Sequence, residues 1–399
     1  MHRIDLKINS LRQLAKISNQ KSMRKDSEKR VLVLFMPFIG DFLMYLNSLN
    51  ALTRFYKEKG YQVDVAILRQ NHSLVKQYCL FDDILVFDQK QYMTRKSYRQ
   101  EIVDWMEDKK YEIVINPYFD TLLDSDILAM LSQAPERVTA DRKKYYSDQL
   151  SLMRNLKNKI NARAYTRRIV YTEKVMDFRK TAYFLQQLGI PFQAQVSYLA
   201  PLQVELELPA EPYCVLAPGA SKTGKRWEPD KFAQMAEYIA GQYGLHVYIC
   251  GTSGEMQIAE QIVDHLEKNS QQVHNCMGKY SMAEYIELIR GAEVVLTNDS
   301  APVHIASATG TRSVCIIGGW DYKRLIPYEI DVETPGTVVP DYVYSNQMPC
   351  FNCFDVRVAY GNQECAERIH MQKTYPCIAA IAVSDVKDVF DRVMKEVGE

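Results

Sequence analysis

From Val31 onward, short apolar runs alternate with longer stretches in which apolar residues recur every three or four positions. VLVLF at 31–35 is an unbroken apolar run, the pattern of a strand buried on both faces. Leu43, Leu46, Leu49, Leu52 and Phe55 or Tyr56 then share one helical face, and Gly60 offers a stop, so a helix is expected over 42–59. YQVDVAIL at 61–68, ILVF at 84–87 and YEIVINPY at 111–118 read as strands, with a helix over 98–110. The rhythm is lost over 137–180, and Gly189, Pro191, Pro201, Pro209 and Pro212 mark 187–212 as a linker. A second series follows: YCVLAPG from 213, a helix over 229–241, HVYICG from 246, a capping box of Ser281 and Glu284, EVVLTNDS from 293, a helix over 302–309 stopped by Gly310, and SVCIIGG from 313. A last helix is expected over 384–397. Strands alternating with helices imply parallel βαβ units. The expected fold is therefore α/β, with two Rossmann-like domains at 31–200 and 201–380 and a cleft between them, a leader at 1–30 and a terminal helix at 381–399. In such open sheets ligands bind beyond the carboxyl ends of the strands.

Composition narrows the function. The 399 residues are 47% hydrophobic, which excludes a largely disordered chain. Forty-nine basic residues balance 49 acidic ones, which removes the argument for bulk nucleic-acid binding. Nine cysteines without a regular framework, three of them in expected strands (Cys214, Cys250, Cys315), fit thiols in a reducing compartment, and a cytoplasmic protein is expected. No apolar stretch is long enough to span a membrane. Lys29 and Arg30 before the apolar run 31–40 imitate a secretion signal, but the run ends at Asp41 and passes into a helical pattern without a small-residue cleavage site.

Charge is uneven along this neutral chain. Residues 1–30 carry nine basic side chains, and Ile4, Ile8, Leu11 and Leu14 would form one helical stripe; the segment reads as a docked leader or as a contact with an anionic membrane surface. Residues 137–180 hold thirteen basic side chains against four acidic ones, with Arg142, Lys143 and Lys144 in a row. That excess suits an anionic partner, or equally a solvated helical surface.

Five polar segments carry candidate chemistry, and the first four follow expected strands. In PFIGD, 37–41, Asp41 stands where a helix begins, either as a carboxylate suited to general-base work or as a helix cap. APGASKTGKRWEP, 217–229, is a polar loop ahead of a helix; its amides suit a phosphate, with Lys225 or Arg226 supplying charge, although its spacing is not that of a Walker loop. TNDSAPVHIASATG, 297–310, runs from a strand into a helix whose start suits a diphosphate, with Ser300 as donor, Asp299 on a sugar hydroxyl or as a cap, and His304 one turn in. In CGTSGE, 250–255, Glu255 suits ribose hydroxyls. Cys350, Cys353, Cys365 and Cys377 begin like a zinc site but continue with long, irregular spacings. No metal-ligand cluster accompanies the other loops, so neither a metal nor another cofactor is expected.

In this order the loops resemble the bacterial heptosyltransferase family, inverting glycosyltransferases of the GT-B architecture. The resemblance spans roughly 31–330 and is carried by GASKTGKRWEP, TNDSAPVHIASATGT and GGWDYKRLIPY, 318–328. It implies Asp41 as catalytic base, Lys225 and Ser221 on the donor diphosphate, Glu255 on the ribose, Tyr280 beside the base, and Asp299, Ser300 and His304 around the sugar and phosphates. Phe35 stands where members usually carry Arg, and Pro37 where they carry Gly. The implied activity is metal-independent transfer of a sugar, heptose from ADP-heptose foremost, from a nucleotide-diphospho-sugar to a glycan or glycolipid, with Arg142, Lys143 and Lys144 toward an anionic acceptor. Two other classes fit the loops. A sugar-nucleotide epimerase would form product from donor alone, and a non-catalytic nucleotide-sugar-binding protein would turn over nothing.

Overall fold

The computed structural model describes residues 29–119, 123–142, 163–171, 175–268, 270–353, 371 and 373–398. Most of the leader, together with Lys143, Lys144 and Cys365, lies outside the described residues. The chain forms two compact units. The described residues of Met1–Phe42, Ser48–Glu173 and Lys180–Phe192 make up the first, and those of Leu43–Asn47, Lys174–Arg179 and Gln193–Glu399 the second.

The first unit is built on a parallel sheet of β1 (Arg30–Leu34), β2 (Gln62–Leu68), β3 (Ile84–Phe87), β4 (Ile113–Asn116), β5 (Glu136–Arg142) and β6 (Arg167–Tyr171), in the order β3-β2-β1-β4-β5-β6. Val31 of β1 is in register with Val63 on one side and Ile113 on the other. Val31 to Leu34 are fully buried, as a central strand covered on both faces must be. Helix α1 (Ile39–Glu58) follows β1 and buries Phe42, Leu49 and Leu52. It ends as the sequence predicts, with Gly60 in the left-handed region at φ 81°.

Two strands fall inside the basic segment where no rhythm was legible. β5 and β6 pair in parallel, Val138 with Arg167 and Ala140 with Ile169. β6 is an edge strand and keeps only Ile169 buried, so its sequence RRIVY carries none of the continuous apolar run that marks β1.

The second sheet comprises β7 (Tyr213–Ala217), β8 (His246–Ile249), β9 (Val273–Asn275), β10 (Val294–Asn298), β11 (Ser313–Ile316) and β12 (Asp341–Val343), in the order β12-β11-β10-β7-β8-β9. Helix α2 (Pro229–Tyr243) starts on a proline and ends at Gly244, φ 67°. Helix α3 (Ala301–Thr309) is buried from Pro302 to Thr309 and stops at Gly310, φ 81°. Helix α4 (Val383–Val397) buries Val386, Phe390 and Val393 in the same core as Phe232, Leu216 and Val247.

The two sheets share a wiring. In the first, β1 to β3 build outward to one side and the chain then returns to place β4 on the other side of β1. In the second, β7 to β9 build outward and β10 returns to the other side of β7. Each reversal leaves a crevice beyond the carboxyl ends of the two central strands, the place where open α/β sheets hold ligands.

Candidate functional site

The crevice of the first unit lies beyond β1 and β4, and Asp41 stands at it. Asp41 is not the helix cap. Phe38 holds the cap position, and Asp41 lies in the first turn of α1, where the positive end of the helix complements a carboxylate. The Tyr118 hydroxyl, just past β4, donates to Asp41 Oδ2 at 3.0 Å. Phe35 is fully buried, with its ring tilted against Phe42 and edge-on to Tyr118. The Pro37 carbonyl accepts from buried Asn71 Nδ2 at 2.9 Å. The two positions that depart from the family pattern therefore have structural work here: one packs the tyrosine that bonds Asp41, and the other anchors the loop that carries Asp41.

The crevice of the second unit lies beyond β7 and β10. The loop after β7 is held on several sides. Asn298, the last residue of β10, accepts from the Trp227 amide at 3.1 Å and donates to the Pro218 carbonyl at 2.6 Å. Arg226 returns two bonds to the Ala220 carbonyl, and Trp227 Nε1 reaches the Ile381 carbonyl at 3.0 Å. Gly224 is required by space: a Cβ there would lie 2.2 Å from the Tyr375 ring. Trp227 is thus a core residue.

This clamped loop delivers Lys225 into a buried acidic pair. Its Nζ lies 2.6 Å from Asp299 Oδ2, at the end of β10, and 2.9 Å from Asp321 Oδ2, in the loop after β11. Arg324 reaches Asp321 Oδ1 through Nε at 3.2 Å and Nη2 at 3.1 Å. Asp299 is 3% exposed and Asp321 4%. The charges resist burial in different ways. Desolvation works against the Lys225 ammonium, but the two carboxylates outweigh it and hold its pKa above the ordinary value. Burial pushes Asp299 up to about 6 against the pull of Lys225, with Asp321 adding to the rise. Asp321 is buried as well, yet Lys225 and Arg324 together hold it below the usual carboxylate range.

The remaining expected residues fall around this node. Ser300 is the residue before α3; its side chain makes no capping bond there, and Asp299 is not the cap. His304 is buried one turn into α3, with Nδ1 2.5 Å from the Tyr328 hydroxyl. Burial, then the nearby Lys225 charge, push it down to about 3, so it is a neutral imidazole at pH 7. Ser221 is exposed on the loop after β7. Glu255, after β8, accepts from the Thr252 amide and hydroxyl at 3.0 and 2.8 Å, and its other oxygen approaches Arg226 at 3.9 Å. A Cβ on Gly219 would meet that same oxygen at 2.2 Å, so the loops after β7 and β8 touch through a glycine. Tyr280 is half-buried, with its hydroxyl 3.8 Å from Cys276 Sγ.

Elsewhere the picture is thinner. Arg142 ends β5 opposite Tyr171. No group of three or more metal-ligating side chains occurs among the described residues; Cys377 Sγ accepts from the Gly319 amide at 3.5 Å. No helix among them is long and apolar enough to cross a membrane. Sequence reasoning missed Asp321, Arg324, Tyr328 and Tyr118. The first three lie in GGWDYKRLIPY, the segment directly after an expected strand, so position alone could have flagged them.

The model of glycosyltransferase family 9 (heptosyltransferase) matches residues 100–338, more than half of the chain. A lipooligosaccharide heptosyltransferase 2 of Campylobacter jejuni is 26% identical over 115 residues, 29% of this chain and 36% of the relative. The match therefore spans about a third of the length of that curated relative. Among solved structures, ADP-heptose LPS heptosyltransferase II of E. coli superposes with a TM-score of 0.65 at 15% identity, over 93% of this chain and all of that one. The E. coli heptosyltransferase WaaC, solved with ADP-2-deoxy-2-fluoro heptose, gives a TM-score of 0.55 at 16% identity, over 79% of this chain and 92% of that one. At these identities the likeness is one of fold, the GT-B class with two parallel-sheet α/β domains.

Proposed function

Because this chain belongs to glycosyltransferase family 9, the heptosyltransferases, we propose that it transfers a sugar, with inversion, from a nucleotide-diphospho-sugar to a glycan or glycolipid acceptor. The observation that carries this reading is Lys225 held between Asp299 and Asp321, at the reversal point of the second sheet and beside the start of α3. Two of the three ammonium N–H groups are engaged, and the third is assigned to the donor diphosphate together with the Ala301 amide at the start of α3, since Pro302 has no N–H and the Val303 amide already meets the Ser300 carbonyl. ADP-heptose is the leading donor, in line with the ADP-sugar bound to the similar WaaC structure.

In the reaction, the acceptor hydroxyl gives its proton to Asp41 as its oxygen attacks the anomeric carbon. The bond from that carbon to the diphosphate oxygen breaks, and its electron pair leaves with the nucleoside diphosphate. Negative charge builds on the leaving group, where fixed donors at Lys225 and the α3 start stabilise it in surroundings of low polarity. Ser221, Glu255, Tyr280, Ser300 and His304 are assigned to the donor's phosphates, ribose, base and sugar, and Arg142, Lys143 and Lys144 to an anionic acceptor. Lys225 fills the position between two carboxylates that a divalent cation takes in other sites, so the reaction is assigned no metal. The assigned place of work is the cytoplasm, at the inner face of the membrane.

The test is a thermal-shift screen against ADP-, GDP- and UDP-sugars in the presence of a chelator. One nucleotide class should raise the melting temperature, by about 2.7 kcal/mol of stabilisation at a hundredfold excess over Kd. No shift with any of the three, chelator or not, would overturn the donor assignment; a shift only when a divalent metal is restored would overturn metal independence.

A further inference from the structure

Asp321 has no place in the reaction as written, yet both of its carboxylate oxygens are engaged at the donor site. Its Oδ2 meets Lys225 at 2.9 Å and its Oδ1 takes both Arg324 bonds. Asp299 and Asp321 also meet the same ammonium through their Oδ2 atoms, at 2.6 and 2.9 Å, so the two carboxyl groups stand close together. Two carboxylates gathered on one ammonium repel each other, and a proton on one of them relieves that repulsion. We infer that Asp321 is a positioning residue of the donor site: it fixes Lys225 for the diphosphate and shares a proton with Asp299, so that diphosphate binding draws a proton onto this pair.

The coupling follows from charge. Lys225, Arg324 and two ionised carboxylates sum to zero, and a diphosphate adds negative charge beside them. The least costly response is for the acid pair to take up a proton, because its members already repel each other at close range. The neighbours leave this role to the pair. His304 on α3, pushed down to about 3, stays neutral. Cys315 on β11 and Tyr328 beyond it are pushed up by burial and stay protonated. Lys225 and Arg324 are fixed cations. With Asp299 near 6, the pair is the group placed to titrate between mildly acidic and neutral pH.

The inference rests on the donor reading above, and its test separates the two. The probe is the one among ADP-, GDP- and UDP-glucose that stabilises the wild type; as diphosphate diesters they have no phosphate ionisation near neutrality. For the wild type, Kd should weaken roughly tenfold from about pH 5.5 to about pH 8, equivalent to a one-unit shift of the pair on binding. Asp321→Asn imitates the protonated pair, so its Kd should be flat over that range and roughly tenfold tighter than wild type at about pH 8. A merely structural Asp321 would weaken binding equally at every pH and keep the wild-type slope, and that result overturns the inference. If the variant does not fold, calorimetry of the wild type in buffers of different ionisation enthalpy decides: net proton uptake near neutrality supports the inference, and no uptake overturns it. A wild type that binds none of the three probes overturns the donor reading, and the inference with it.

Discussion

Asp41 illustrates how little a residue type says without its surroundings. A carboxylate near a helix start is usually a cap, but here the cap position belongs to Phe38 and the carboxylate instead receives the Tyr118 hydroxyl. A positioned general base contributes typically about 10²–10⁴-fold to a reaction. Asp41→Asn should therefore lower kcat by about that factor while leaving the donor Kd unchanged, as steady-state kinetics and a donor titration would measure. Turnover near wild type in that variant would remove Asp41 from the mechanism. At this scale the sequence was legible for Lys225, Asp299 and His304, because each follows a strand end in a polar motif. It was silent on Asp321 and Tyr118, whose meaning comes from partners roughly 80 to 100 residues away in the chain.

At the scale of elements, apolar runs identified the central strands and glycines the helix ends. β1, β7 and β10 lie where their runs are, because central strands covered on both faces need uninterrupted apolar sequence. β6 was invisible, since its arginine-rich sequence reflects an exposed edge, and β5, although paired on both sides, carries too short an apolar run in ERVTADR to stand out. β9 and β12, three residues each, are too short to show any period. The glycine ends can be ranked by their surroundings. Gly60 and Gly310 share φ 81°, but a Cβ on Gly60 meets nothing within 4 Å, whereas on Gly310 it lies 2.9 Å from the Gly336 carbonyl. Gly60→Ala should cost about 1 kcal/mol, the ordinary left-handed penalty for a non-glycine residue. Gly310→Ala should cost more, by about a further 1 kcal/mol or above as the carbonyl is displaced. Denaturant midpoints at unchanged slope measure both; equal losses would contradict the ranking.

For the whole molecule, a zero net charge conceals a strong internal asymmetry, with thirteen basic residues inside 137–180. If this region meets an anionic acceptor at a membrane surface, reversing the charges of Arg142, Lys143 and Lys144 should weaken co-sedimentation with vesicles containing anionic lipid. The difference should shrink as salt rises and the screening length falls to about 8 Å near physiological ionic strength. Unchanged sedimentation at low salt would dismiss the membrane role. The two-unit plan was legible from the repeated strand–helix rhythm and the proline-rich linker. The matching reversals in strand order were not, because strand order is set by how crossovers pack and leaves no periodic trace in sequence.

Asn298 ties both ends of the 218–227 loop to one side chain, through the Pro218 carbonyl and the Trp227 amide. The segment between them is thus a closed ring before any ligand arrives. Its conformational freedom is surrendered during folding, so little disorder remains to be lost when a donor docks. Cutting the ring at Asn298 would turn a rigid receptor into one that must arrange itself at each encounter.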